Sequence, residues 1–233
     1  MPRWVLSSRR ADLVELMDDP DCDPVRLDRT YAWFARLNPW LARWNAVYKA
    51  RVRPLLKQQP DARILDLGCG GGDVARLLLS KARADGFAPT VLGVDPDSRA
   101  LEHARRFSVP GLELRACHSS DLVTEGEQFD LVISNHVLHH LDDETLQRFL
   151  SDSATLSRNL VVHNDIRRDD LVWLTFWPVG LVATFNSFIL IDGLRSIRRA
   201  WHPAELAPHL HPGWRIETAE PFRMLLIHER HDH

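Results

Sequence analysis

The sequence predicts an α/β fold: seven short strands forming a mostly parallel sheet, with amphipathic helices between most of them. Three observations lead there. Short, continuous apolar runs recur between residues 61 and 165 with helical patterns between most of them, as in βαβ units whose sheet is buried on both faces. One of these runs passes straight into a cluster of glycines and then into a helical pattern. The chain has 233 residues, 45% apolar and 26% charged, which suffices for one core and is too apolar for a disordered chain.

In chain order, residues 1–57 read as helical. Asp23 is a helix cap and Pro24 a first-turn proline, and Leu27, Tyr31, Phe34, Ala35 and Leu37 follow at helical spacing. Asn38-Pro39 is expected to end that helix, and a second is expected from about Trp40 to Lys57. Strands are expected over 63–67, 91–94, 112–116, 130–134 and 160–163, with helices over 73–84 and 97–107. A helix over 203–210 and a strand pair, 215–220 and 222–229, close the chain. The organisation is one domain: an N-terminal helical cap (1–57), a core (61–165), an apolar helical lid (166–200), and a final helix with its strand pair (201–233).

Composition excludes several classes. A net charge of −3 and a pI near 6.4 argue against a nucleic-acid binder. Cys22, Cys69 and Cys117 are odd in number and scattered, so neither a disulfide framework nor a zinc cage is expected. The opening MPRWVLSSRR lacks the apolar core of a secretory leader, and a cytoplasmic protein is expected. Residues 171–191 are 21 residues without a charge, long enough to span a membrane. Pro178 and Gly180 interrupt that run, and Thr175, Thr184, Asn186 and Ser187 dilute it. A buried or lid-forming helical pair is expected rather than a span, with contact at a membrane interface as the intermediate case.

The most informative stretch runs Ile64-Leu65-Asp66-Leu67-Gly68-Cys69-Gly70-Gly71-Gly72-Asp73. Glycines between a strand and a helix let the backbone turn tightly and approach a ligand without Cβ atoms in the way. Counting from Gly68, the sixth position is Asp73, so the dinucleotide fingerprint is missing; the loop also lacks the phosphate-binding lysine. The next strand ends in Val94-Asp95-Pro96-Asp97, which places a carboxylate where it can grip ribose hydroxyls.

Four ordered motifs, ILDLGCGGGD, VLGVDPD, CHSSDL and FDLVISNHVLHHLDDE, resemble those of class I S-adenosylmethionine-dependent methyltransferases of the small-molecule type. The resemblance covers residues 61–165 and 201–229. It implies a Rossmann-like seven-stranded sheet, mostly parallel with an antiparallel last strand, plus N-terminal helices and an inserted helical lid. It implies S-adenosyl-L-methionine as cofactor. Asp66, Gly68, Cys69, Gly70 and Gly72 would form the loop around the methionine and ribose. Asp95 would hold the ribose hydroxyls, Pro96 would lie beside the adenine, and Asn135 would sit at the pocket edge. His118 stands where the family offers an acid to the adenine, which leaves that partner open between Ser119 and Asp121.

Methyl transfer to a hydroxyl needs a nearby group to take the proton, most often a histidine. His139-His140-Leu141-Asp142-Asp143-Glu144 resembles the H-D-W-x-D-E stretch of O-methyltransferases acting on phenols and polyketides, with His140 and Leu141 as departures. The first histidine of that stretch is the general base, which implies His139, with His163 and His136 in reserve. No metal site is expected, because H-x-x-H-H comes without a matching set of acids. All eight tryptophans lie outside 61–165, and an aromatic cover suits a flat, lipophilic acceptor.

The function expected is therefore an S-adenosylmethionine-dependent O-methyltransferase acting on a small hydrophobic, aromatic hydroxyl of a polyketide, phenol or quinone, as in secondary metabolism. The alternatives are C-methylation of a quinol or polyketide, and a catalytically silent S-adenosylmethionine-binding protein. No nucleic-acid partner is expected, and nothing in the sequence fixes an oligomeric state.

Overall fold

The computed structural model describes residues 6–183, 186–219 and 222–230. The Asp23 carboxylate accepts hydrogen bonds from the backbone N–H groups of Val25 and Arg26, and Pro24 occupies the first turn, so α1 (Pro24–Leu41) starts where the sequence places it. After it come α2 (Trp44–Val47), a π-helical stretch (Tyr48–Val52) and α3 (Arg53–Gln58). The central elements are β1 (Arg63–Leu67), α4 (Asp73–Ala84), β2 (Thr90–Val94), α5 (Ser98–Arg105), β3 (Leu112–Arg115), α6 (Ser119–Thr124), β4 (Phe129–Asn135), α7 (Asp143–Leu156) and β5 (Ser157–Ile166). Helices α8 (Asp170–Ala183), α9 (Ile189–Arg199) and α10 (Pro203–Leu206) precede the closing strands β6 (Trp214–Ala219) and β7 (Arg223–Glu229).

The seven strands lie in the order β3-β2-β1-β4-β5-β7-β6. β7 runs antiparallel to both β5 and β6, so six strands are parallel and one is reversed, as expected. The order reverses between β1 and β4, which opens a crevice beyond their carboxyl ends. Period-two alternation sorts the core between the two faces: Ile64, Leu131, Ile133 and Val162 pack under Trp44, Val52 and Leu56, whereas Leu65, Leu67, Val132 and Val161 face the other layer. The N-terminal cap thus contributes to one of the two layers that cover the sheet. Trp44 is fully buried and its indole N–H donates to Asn135 Oδ1 at 2.9 Å.

Of the boundaries that differ from expectation, two have a clear physical cause. Pro39 does not end α1, which continues to Leu41 and stops at Arg43, held at φ 55. In the last turn a proline forfeits only one helical hydrogen bond, and the buried Asn38 amide, donating to Asp73 Oδ2 at 2.9 Å, holds this turn on the start of α4. β5 runs on past His163 to Ile166 because β7 pairs with it as far as Ile166↔Arg223; its buried polar residues Asn164 and Asp165 hid that extension. The helix at Pro203 ends at Leu206 and gives way to a 3-10 turn at Ala207–His209.

The apolar run supplies nearly all of α8 and the first residues of α9, and the two helices pack as a pair. Gly193 lets them close: a Cβ there would stand 2.3 Å from the Phe176 ring. Among the described residues no helix is long and apolar enough to cross a membrane. Leu171, Leu174 and Trp177 stay exposed on the outer face of α8.

Candidate active site

β1 and β2 lie side by side, with Leu67 opposite Val94, so the glycine loop and the acid beyond β2 meet at the sheet's carboxyl edge. Gly68, Gly70 and Gly72 all adopt left-handed φ values, 67, 53 and 72, which cost other residues strain. A Cβ on Gly68 would also come within 2.7 Å of Val137 Cγ2. Asp95 fixes the loop: its Oδ2 accepts from Gly70 N–H and its Oδ1 from Asp97 N–H, both at 2.9 Å. We expect Gly68→Ala to weaken S-adenosylhomocysteine binding roughly 10-fold, about 1–2 kcal/mol of strain, measured by titration calorimetry.

A cavity of about 700 Å³ starts at this loop. Asp66 is 1% exposed and its Oδ2 has no hydrogen-bond partner among the described residues. Burial, then the nearby Asp73 and Asp95, pushes its carboxyl well above the usual range. Burial also raises Asp73 and Asp95. Three desolvated carboxyl groups around one end of a cavity are stabilised by a positively charged ligand. S-adenosylmethionine, with its sulfonium and ammonium, fits: an orphaned buried oxygen and a cradle that side chains would fill are both present.

The opposite polar wall comes from the turn after β4, the end of β5 and the N-terminal segment. His136 sits at φ 61, and its Nε2 lies 3.1 Å from Arg223 Nη1. A guanidinium only donates, so Nε2 accepts and the ring proton is on Nδ1. Burial and then Arg223 hold His136 neutral. His139 is 1% exposed, with Nδ1 2.7 Å from Asp165 Oδ1 and Nε2 3.4 Å from Glu15 Oε1. Burial disfavours its charge, but the carboxylates of Asp165 and Glu15 outweigh that and raise it to about 9. Burial likewise opposes the charges of Glu15 and Asp165, and His139 and its neighbours win: Glu15 falls to about 2 and Asp165 also falls. In this arrangement His139 holds a proton rather than standing ready to take one.

Much of the remaining lining is apolar. Phe34 and Trp40 from α1, Val172 and Phe176 from α8, and Ile189 and Ile197 from α9 line the cavity. Trp40 is 77% exposed at its rim, while Trp44, Trp201 and Trp214 pack core layers instead. Trp4 lies outside the described residues.

Of the expected site residues, Asp66, Gly68, Cys69, Gly70, Asp95, Pro96, Asn135, His136 and His139 line the cavity. The Asn135 side-chain oxygen is already taken by Trp44 and Arg223. Gly72 does not line it and serves the turn into α4. Ser119 and Asp121 are also elsewhere: Ser119 donates to Asp152 Oδ2 at 2.6 Å, and Asp121 Oδ2 accepts from His118 N–H at 2.8 Å. His163 is buried in the core, 2.8 Å from Ser134 Oγ and stacked on Trp214, where burial holds it neutral at about 3. It is a packing residue. Glu15, Tyr31, Asp165 and Arg223 were not expected. Asp165 and Arg223 share the sheet's carboxyl edge, a signal the expected end of β5 at 163 cut off. Glu15 lies in a charged segment with no local signature.

Known proteins resemble this chain, most of them over part of its length. Residues 64–159 match the family described as "Methyltransferase domain". Ubiquinone biosynthesis O-methyltransferases are similar over part of the chain: that of Rhizobium etli is 35% identical over 100 residues, 41% of this chain and 37% of that protein. That of Brucella ovis is 31% identical over 122 residues, 48% and 46% respectively. The chain therefore spans less than half the length of these relatives. The plantazolicin methyltransferase BpumL, solved with S-adenosylhomocysteine and a monoazolic desmethylPZN analogue, superposes with a TM-score of 0.66 at 14% identity, covering 91% of this chain and 92% of that one. The magnesium protoporphyrin IX methyltransferase of Synechocystis gives 0.52 at 16% identity, covering 82% and 84%. This chain is therefore similar to methyltransferases over residues 64–159 and shares the fold of these solved structures.

Proposed function

We propose that this chain is an enzyme that methylates an oxygen on a small, apolar, aromatic acceptor, with S-adenosylmethionine as the donor. One observation carries the reading: a single cavity holds the acid-and-glycine loop, an apolar chamber and a wall of histidines. When bound, the cofactor supplies a methyl group on a sulfonium, open to in-line displacement. Asp66, Asp95 and the glycine loop hold and orient it. The chamber of Phe34, Val172, Phe176 and Ile197 binds the acceptor and excludes water. The wall of Glu15, His139 and His140, backed by Asp165, receives the acceptor's hydroxyl, and Asp18 beside His140 takes up its proton. The O-methyltransferases similar to part of this chain support oxygen as the methylated atom.

The test is transfer of labelled methyl from S-adenosylmethionine to a panel of phenols and quinols, with the product's methylated atom assigned by NMR. An O-methyl ether is expected, and a carbon-methylated product overturns the oxygen reading. Binding of S-adenosylhomocysteine without transfer to any acceptor makes the chain a silent binding protein. Phe176→Ala should raise acceptor KM roughly 10-fold through lost apolar contact, with S-adenosylhomocysteine affinity unchanged. An unchanged KM would remove the chamber from acceptor binding.

A further inference from the structure

We propose that Glu15, His139 and His140 bind one divalent transition-metal ion whose open position takes the acceptor's oxygen. This rests on the oxygen acceptor proposed above and adds a metal to that wall. The geometry is specific. Glu15 Oε1 lies 3.4 Å from His139 Nε2 and 3.7 Å from His140 Nε2, and the three residues offer ligand atoms within 4.8 Å of one another. Ligand atoms about 2.0–2.2 Å from one tetrahedral ion stand roughly 3.4 Å apart, so modest adjustment closes the site.

A second observation is independent of that spacing. His139 is 1% exposed, yet its Nε2 has no hydrogen-bond partner among the described residues and faces the Glu15 carboxylate. A buried ring nitrogen without a hydrogen bond is costly, and coordination would satisfy it. Each ligand is also held from behind, as metal ligands are. Asp165 Oδ1 lies 2.7 Å from His139 Nδ1, Asp18 Oδ2 lies 3.4 Å from His140 Nδ1, and Ser196 Oγ donates to Glu15 Oε1 at 2.7 Å.

Three carboxylates, Glu15, Asp18 and Asp165, surround the two imidazoles. Arg199, 3.8 Å from Glu15 and 3.5 Å from Asp18, offsets part of that charge. Two nitrogens and one carboxylate oxygen suit zinc or a neighbouring first-row dication better than magnesium or calcium, which prefer all-oxygen sites. All three ligands line the cavity, so the remaining position opens toward the acceptor. A hydroxyl bound there loses its proton more readily, and the half-exposed Asp18 carboxylate, which lines the cavity beside His140, takes that proton and passes it to solvent. The acceptor's oxygen then bonds to the methyl carbon as the carbon–sulfur bond breaks, and the sulfonium leaves as a neutral thioether. His139 then serves as a ligand rather than as the proton acceptor.

The full chain, freed of metal by chelator dialysis, is titrated with zinc chloride by calorimetry and with cobalt(II) by visible absorption. One ion per chain is expected, with cobalt bands in the visible. Glu15→Gln and His140→Gln should each weaken zinc binding at least 10-fold. His140 is half-buried, so that variant is not expected to threaten folding. His163→Gln, a buried histidine away from the cavity, should bind zinc as the native chain does. Absence of saturable binding, or equal binding by the Glu15 and His140 variants, overturns the proposal. Methyl transfer at the native rate in the chelated chain also overturns it while leaving O-methylation standing. Zinc binding as expected, with a carbon-methylated product, sinks the oxygen reading and keeps the ion.

Discussion

Asp95→Ala is expected to weaken S-adenosylhomocysteine binding roughly 100-fold. The carboxylate has two tasks. Facing inward, it accepts from Gly70 and Asp97 backbone N–H groups, both at 2.9 Å, and so holds the glycine loop in shape. Facing the cavity, it stands where ribose hydroxyls would be gripped. Hydrogen bonds to a charged group contribute about 1.5–3 kcal/mol each, and losing one to two of them corresponds to roughly 100-fold in affinity. Asp95→Asn, which keeps a neutral acceptor, should fall between the two. Titration calorimetry decides it, and native affinity in Asp95→Ala would remove this residue from the cofactor site.

His139→Gln is expected to lower turnover about 100-fold, with S-adenosylhomocysteine affinity within a few-fold of native. An interaction made in the reaction itself appears in kcat, whereas one that merely holds the cofactor appears in affinity. His139 touches Asp165 and faces Glu15, neither of which bonds the glycine loop that Asp95 holds, so the two measurements should separate. Glutamine cannot hold both carboxylates as the imidazole does, so rates are taken per folded chain, with the folded fraction read by circular dichroism. His163→Gln is the matched control: a buried histidine outside the cavity, expected to keep turnover close to native. Equal turnover in His139→Gln and the native chain would take His139 out of the reaction.

Legibility followed the kind of signal. Strands β1 to β4 and helix α4 were readable because alternation and helical spacing are local. The cofactor loop was readable because left-handed turns need glycine, and glycine is visible as a letter. Ser119 and Asp121 show the limit of a motif: both stand at the expected place in the chain, yet their side chains are spent on Asp152 and on the His118 backbone N–H. His163 shows it again. Strand register turns it into the layer of Phe149 and Trp214, whereas Asn164, one residue on, turns toward the N-terminal cap and donates to Ala42 O at 2.6 Å. The tryptophans behaved similarly, since most of those described pack layers and the chamber is lined chiefly by phenylalanine and aliphatic side chains.

By itself the sequence determined the parallel sheet, its glycine loop and the acid beyond β2, because each is written in neighbouring residues whose backbone conformation or periodicity admits few alternatives. Only the tertiary structure decided the acceptor side. Glu15, His139 and Asp165 come from an N-terminal segment, a turn and a strand end that no spacing rule connects. They meet because α1, α8 and α9 close over the sheet edge, and that closure sets their burial and charge. Whether a histidine is a filler, a proton holder or a ligand depends on those neighbours.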